Sequence, residues 1–206
     1  MLQAFNLCSH RGDKLLWNNL NFSLSSHQCM RINGANGAGK STLLRIISGL
    51  SQATSGEISW NGAILKFDKE EYFSKLIYLG HTPPLKGDMT AFENIKFWCQ
   101  LGGQQAKDSE ITEVLEKWQL SSKKHLPVRS MSQGQKQRVA LVRLQLGMDF
   151  PLWILDEPWN SLDKEAILNL NHLIEQHSSQ GGITLFTSHQ DVSLNITNHP
   201  VFDLHL

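Results

Sequence analysis

The chain has 206 residues, enough for one sizeable domain with a subdomain inserted into it and too few for two full domains. Hydrophobic residues make up 40%, so a proper core can form. Its 19 basic and 19 acidic side chains cancel, which excludes a chain-wide electrostatic footprint for nucleic acid.

Residues 1–33 are expected to form antiparallel strands. Leu20, Phe22 and Leu24 alternate with Asn21 and Ser23, as on a half-buried strand. Cys29–Asn33 has strand potential and leads into Gly34-Ala35-Asn36-Gly37-Ala38-Gly39-Lys40-Ser41-Thr42, which has the form G-x-x-x-x-G-K-[ST]. A helix follows, with Leu43, Ile46, Ile47 and Leu50 expected on one face and Gly49 helping to end it. Glycines let the loop N–H groups turn inward, and the helix N-terminus stands behind them, so the segment reads as an anion nest. In such a loop Lys40 reaches the β- and γ-phosphates and the Ser41 hydroxyl ligates Mg²⁺.

Residues 56–60 read as a strand, and Asn61-Gly62 as a hairpin turn. Leu76–Leu79 is a short buried strand that runs into His81-Thr82-Pro83-Pro84, where paired prolines break regular structure. Thr90-Ala91-Phe92-Glu93 is a capping box. Phe92, Ile95 and Cys99 then make a helical stripe closed by Gly102-Gly103, and Ile111, Val114, Leu115 and Trp118 make another. Ser132-Gln133-Gly134-Gln135 opens a helix carrying Val139, Val142 and Leu146. A small polar residue and a glycine there suit either an ordinary N-cap or an anion-binding terminus. Residues 84–147 thus read as a helical subdomain inserted between α/β pieces at 1–83 and 148–206.

Residues 151–155 form a continuous apolar run, as in buried parallel strands, and end in Asp156-Glu157. Ile167, Leu170 and Ile174 mark a helix. Gly181-Gly182 leads into the strand Ile183–Thr187, with His189 just beyond it. In open parallel sheets ligands bind outside the carboxyl ends of the strands, and residues 34–41, Asp156, Glu157 and His189 all fall at such ends. There Asp156 suits the orientation of Mg²⁺, and Glu157 suits a general base toward an attacking water.

Cys8, Cys29 and Cys99 are widely spaced, and three cysteines cannot all pair, so reduced thiols are expected. None of the nine histidines has H-x-H or H-E-x-x-H spacing, so scattered surface or capping roles are expected. No stretch approaches the ~20 apolar residues of a membrane span, and residues 1–13 lack the apolar region of a signal peptide.

The order of these motifs carries a resemblance. Phosphate loop, Met-Ser-Gln-Gly-Gln, hydrophobic-Asp-Glu-Pro, Asn-Ser-Leu-Asp and Thr-Ser-His resemble the ATP-binding cassette family along nearly the whole chain. Residues 131–135 resemble the signature motif, with Met131 and Gln133 as variants. Leu155-Asp156-Glu157-Pro158 resembles the Walker B segment, Ser161-Leu162-Asp163 the D-loop, and His189 the switch histidine. The fold class implied is α/β, a P-loop NTPase of the cassette type with an N-terminal antiparallel β portion and an inserted helical subdomain. The implied ligands are ATP and Mg²⁺. The resemblance further implies a head-to-tail homodimer enclosing two ATP molecules. Each site would pair one chain's phosphate loop, Asp156, Glu157 and His189 with the other chain's Ser132, Gly134 and Gln135. Hydrolysis would separate the dimer and move attached membrane subunits.

Within the family, several segments resemble the haem-exporter ATPase of cytochrome c maturation (CcmA family). They are residues 33–45, Tyr78-Leu79-Gly80-His81, Ala91-Phe92-Glu93-Asn94-Ile95, Ser132-Gln133-Gly134-Gln135 with Arg138-Val139-Ala140-Leu141, Trp153 to Pro158, and Gly181-Gly182 with Thr187-Ser188-His189-Gln190. That resemblance implies ATP hydrolysis at the cytoplasmic face of a bacterial inner membrane, peripherally, beside integral subunits that handle haem or release a haem chaperone. No C-x-x-C-H occurs, so the subunit itself is expected not to hold haem. Two positions depart from the wider pattern. The Q-loop glutamine falls at Thr82, whose hydroxyl either works through water or leaves coupling to the helical subdomain altered. The adenine-stacking aromatic falls near Arg11, whose guanidinium can stack on a base, with His10 as the other candidate.

Other readings are an exporter ATPase for a lipoprotein or small molecule, a soluble nucleic-acid- or ribosome-associated cassette protein, and a pseudo-enzyme that binds without turnover. Against the soluble reading, the gap of about 90 residues between phosphate loop and signature holds no sustained heptads. Lys40, Asp156, Glu157 and His189 argue against the pseudo-enzyme, and only Thr82 favours it.

Overall fold

A computed structural model of the chain describes residues 1–65, 70–102, 106–189, 193–196 and 201–206. Gly103 and Gln190 lie outside the described residues. The chain divides into two compact units: Met1–Tyr78, Phe150–Glu157 and Ile174–Leu206 form the first, and Leu79–Asp149 with Pro158–Leu173 form the second.

The first unit carries two sheets. Strands β1 (Leu2–Arg11), β2 (Lys14–Leu24), β4 (Ser55–Trp60) and β5 (Ala63–Ile64) make an antiparallel sheet in the order β2-β1-β4-β5. The β4–β5 turn places both Asn61 and Gly62 at positive φ, 49° and 82°, as a two-residue type I′ turn requires. The second sheet contains β3 (Cys29–Asn33), β6 (Leu76–Leu79), β7 (Leu152–Leu155), β8 (Ile183–Thr187) and β9 (Phe202–His205), in the order β6-β7-β8-β3-β9. β3 pairs in parallel with both β8 and β9, and β7 in parallel with β8.

Cys29–Asn33 therefore departs from the expected antiparallel run. The physical reason is burial on both faces. Every residue of β7 and β8 is buried, which is the environment of a parallel sheet covered on each side.

Helix α1 (Lys40–Ile47) buries Leu43, Leu44, Ile46 and Ile47 against this core. It ends at Gly49, where φ is +76° and the Leu50 N–H turns back to Arg45 O at 2.8 Å. Leu50 comes after that reversal and is 54% exposed, so it leaves the face that the periodicity assigned to it. Short helix α2 (Glu70–Phe73) brings the Tyr72 hydroxyl to Ile47 O at 2.7 Å and satisfies a carbonyl of the last α1 turn.

The second unit is built on α3 (Ala91–Leu101), α4 (Asp108–Lys117) and α5 (Gln133–Leu146), with 3₁₀ turns at Ser121–Lys123 and Val128–Ser130. The Thr90 capping box forms in full: Thr90 N donates to Glu93 Oε2 at 2.8 Å and Glu93 N to Thr90 Oγ1 at 3.1 Å. Ile95, Cys99, Ile111, Leu115, Val139 and Val142 are buried, as the helical stripes require. Buried Asn94 pins the loop before α3, accepting from Lys86 N at 2.8 Å and donating to Lys86 O and Thr90 O at 3.0 and 2.9 Å.

Helix α6 (Lys164–Ser179) contributes residues to both units and carries His177. This histidine is not the surface residue that spacing suggested. It is buried and stacked on Trp153, with ring centroids 3.8 Å apart and planes 4° from parallel. Its Nε2 is 2.8 Å from Phe150 O and its Nδ1 is 3.0 Å from Thr184 Oγ1. The first contact requires N–H at Nε2, leaving Nδ1 to accept from the threonine hydroxyl. Gly182 leaves room for the ring, since a Cβ there would lie 2.3 Å from it. Burial lowers the His177 pKa from 6.5 to about 4. The unfolded chain therefore takes up this proton first. Stability is complete above pH 6.5 and falls as pH drops toward 4, by about 3 kcal/mol for a shift of this size. Melting between pH 7 and 4.5 should fall more steeply for the wild type than for His177→Gln. Equal slopes would refute the assignment.

Candidate functional site

Strand register sets the site. Ile32 pairs with Thr187, and Leu155 with Phe186, so the carboxyl ends of β3, β8 and β7 lie level on adjacent strands. Residues 34–39 leave β3, Asp156 leaves β7, and Ser188-His189 leave β8 at that edge.

The phosphate loop is shaped by close packing. Gly39 N-caps α1 with φ +103°, and a Cβ there would lie 2.8 Å from Trp17 Nε1 and 3.2 Å from Leu16 Cδ1. Glycine is required twice, by dihedral and by space. Trp17, which the sequence reading did not single out, is buried and braces the loop. Lys40 Nζ donates to Gly34 O at 2.7 Å and Ala35 O at 3.2 Å, which holds the ammonium against the loop backbone. The first turn of α1 has no acidic side chain, so its positive end is uncompensated and suited to an anion. Ser41 is exposed in that turn.

Asp156 and Glu157 are nearly fully buried, 4% and 8% exposed, and buried carboxylates need partners. Thr187 supplies one to each residue. Its hydroxyl donates to Asp156 Oδ1 at 2.7 Å and accepts from the Glu157 N–H at 2.9 Å. Glu157 sits at φ +53°, a left-handed conformation uncommon for a side-chain-bearing residue. The His189 N–H donates to Glu157 Oε2 at 3.2 Å, and His189 Nε2 is 3.3 Å from Oε1. Burial, and after it the charge of Asp156, raise the pKa of Tyr78 on the neighbouring strand β6.

The second unit holds the other motif residues. Ser132 caps α5 in a full capping box, Gln135 N to Ser132 Oγ at 3.3 Å and Ser132 N to Gln135 Oε1 at 3.0 Å. Gly134 has Ser161 O so near that a Cβ would lie 2.5 Å from it. Asp163 caps α6 through Ala166 N at 3.0 Å and pairs with Arg138 through its other oxygen. Arg138 also reaches Gln119 Oε1 at 3.1 Å. Hydrogen bonds thus join Asp156, Glu157 and His189 in one unit, and Arg138 ties Asp163 to α5 in the other. Arg11 and Thr82 stand outside both sets. Arg11 is exposed opposite Lys14 in the β1–β2 hairpin, and Thr82 is exposed just after β6. His10 Nδ1 lies 3.4 Å from Thr54 Oγ1.

Comparison with known proteins matches residues 17–160 to the ABC transporter family model. The chain belongs to the ABC transporter family. This cassette is 42% identical over 191 residues to the cytochrome c biogenesis ATP-binding export protein CcmA of Pasteurella multocida, covering 93% of this chain and 89% of that one. The CcmA protein of Vibrio cholerae is 41% identical, with 93% and 92% covered. Among solved structures, an ATP-binding subunit of an ABC transporter superposes with a TM-score of 0.80 at 27% identity, over 92% of this chain and 79% of that one. A putative ABC transporter ATP-binding protein from Pyrococcus furiosus superposes with a TM-score of 0.80 over 100% and 96%, and at 22% identity it speaks for the fold alone. The cassette is an ATP-binding and ATP-hydrolysing protein of the P-loop ABC fold. No helix among the described residues is long and apolar enough to cross a membrane.

The contact between Gly134 and Ser161 O yields a direct test. In Gly134→Ala the new methyl meets backbone, so the D-loop or the start of α5 must shift, at a cost of about 1–3 kcal/mol. Chemical denaturation should show that loss, and an unchanged midpoint would contradict the packing.

Proposed function

We propose that the cassette is the ATP-hydrolysing subunit of a bacterial membrane export system serving c-type cytochrome maturation. Its cargo step would be haem export or release of a haem chaperone. The observation carrying the specific role is the 42% identity to a cytochrome c biogenesis export protein across nearly the whole of both chains. The chemistry rests on the acids held at the strand ends. The phosphate loop, residues 34–42, takes the triphosphate with its N–H groups and the α1 terminus. Lys40 exchanges the Gly34 and Ala35 carbonyls for phosphate oxygens.

Ser41 and Asp156 are the Mg²⁺ ligands in this reading. A hydroxyl and a carboxylate are the hard oxygen donors that Mg²⁺ prefers. When bound, Mg²⁺ neutralises charge on the β- and γ-phosphates. Glu157 orients the attacking water and accepts its proton, and His189 holds the Glu157 carboxylate in place.

The signature residues Ser132, Gly134 and Gln135 and the D-loop residue Asp163 act on the nucleotide of a second copy, in an ATP-dependent homodimer. Integral membrane subunits complete the assembly on the cytoplasmic face of the inner membrane, and the cassette binds it peripherally. Arg11 is the candidate base-stacking residue. Thr82 stands at the Q-loop position, where its hydroxyl either works through water or leaves coupling to the helical subdomain altered.

Lys40→Ala removes charge-assisted bonds and should weaken ATP binding about 10- to 100-fold by titration calorimetry. Unchanged affinity would remove Lys40 from the site. Glu157→Gln should keep binding and stop turnover, and full turnover would refute the base assignment. Captured from detergent-solubilised membranes with ATP, Glu157→Gln should carry haem-handling integral membrane subunits with it. A different permease would overturn the cytochrome role, and soluble ribosomal partners would overturn the transport reading.

A further inference from the structure

We infer that Thr187 is a positioning residue for both acids of the site, and that its hydroxyl sets the geometry of Asp156 and Glu157 together. This rests on the reading of Asp156 as metal ligand and Glu157 as base.

The geometry is specific. Thr187 closes β8, is fully buried, and lies level with Ile32 of the strand that feeds the phosphate loop. One hydroxyl does two jobs that only a hydroxyl can do at once. As a donor it binds Asp156 Oδ1 at 2.7 Å, and as an acceptor it takes the Glu157 N–H at 2.9 Å. The first bond takes one lone pair of Asp156 Oδ1 and fixes the orientation in which the carboxylate meets a metal or its water shell. The second bond acts on backbone, at a residue whose φ of +53° is sterically unfavourable and persists only where the surroundings fix it. The Glu157 carboxylate is in turn held by the His189 N–H. The chain of contacts therefore runs from the end of β8 to one acid through its side chain and to the next through its main chain. Thr187 touches neither nucleotide nor water in this scheme. It acts only through Asp156 and Glu157.

The informative variant is Thr187→Val, which keeps the shape and removes the hydroxyl. Loss of an outer-shell partner of this kind costs about 10- to 100-fold in activity or metal affinity. The expected result is a fall in kcat of that size with KM for ATP changed less than about threefold, and a higher Mg²⁺ concentration for half-maximal turnover. Thr187→Ser should recover most of the loss. A second readout needs no turnover: amide hydrogen exchange of the peptide spanning 155–160, followed without nucleotide, should speed up in Thr187→Val because the Glu157 N–H has lost its acceptor. If Thr187→Val melts far below wild type, Thr187→Cys reads the same loss with a smaller side chain whose thiol bonds only weakly. Wild-type turnover and exchange in the valine or cysteine variant would overturn the inference. Glu157→Gln separates this from failure of the underlying reading. If Glu157→Gln is inactive while Thr187→Val turns over normally, the positioning role alone falls. If Glu157→Gln turns over fully, the site reading itself falls.

Discussion

The register of β3, β8 and β7 is the constraint on which the rest of the site depends. Three parallel strands end level because Ile32 faces Thr187 and Leu155 faces Phe186. That alignment is fixed by burial on both faces of the sheet, since a slip by one residue would turn Thr184 and Thr187 to the opposite face and disturb every apolar position between them. With the register set, the phosphate loop, the acid pair and His189 emerge at one edge, and no long-range folding of loops is needed to gather them.

Polar groups then refine what the sheet positions roughly. Several buried polar groups in the first unit have a specified partner: Asp156 and the Glu157 amide through Thr187, His177 through Phe150 O and Thr184, the Ile47 carbonyl through Tyr72. In the second unit Arg138 plays a comparable part. It joins the helix that begins at the signature to the turn bearing Asp163, and Ser161 packs on Gly134 from the same turn. The signature helix and the D-loop are thereby one mechanical piece within that unit.

Much of this was legible in the chain, and for identifiable reasons. The loop at 34–42, the capping box at Thr90, the N-cap at Ser132 and the turn at Asn61-Gly62 are local, so the residue types alone announce them. The apolar run of β7 announced burial on two faces. What escaped is non-local. Phe202–His205 is a short, largely exposed strand that extends against its partner β3. His177 looked like a surface histidine because nothing nearby in sequence predicts Trp153 beneath its ring. Thr187 reads as an ordinary strand residue until β7 is placed beside it, although a threonine ending a buried run was a usable sign. Leu50 followed the helical period and left the core because Gly49 turns the chain first.

The pairing of β3 has a further consequence, for the order in which the molecule is made. Its two neighbours are β8 and β9, so Met30 must meet Leu185 and Phe202, residues synthesised long after it. Until those strands leave the ribosome, the segment ahead of the phosphate loop has no ladder to join. The antiparallel hairpin of β1 and β2 can form early, but the nucleotide site cannot. Nascent chains should therefore remain unable to recognise nucleotide through most of translation. For that interval Met30 and Ile32 of β3, buried in the finished fold, stay exposed to chaperones and to aggregation, the vulnerability that high contact order brings.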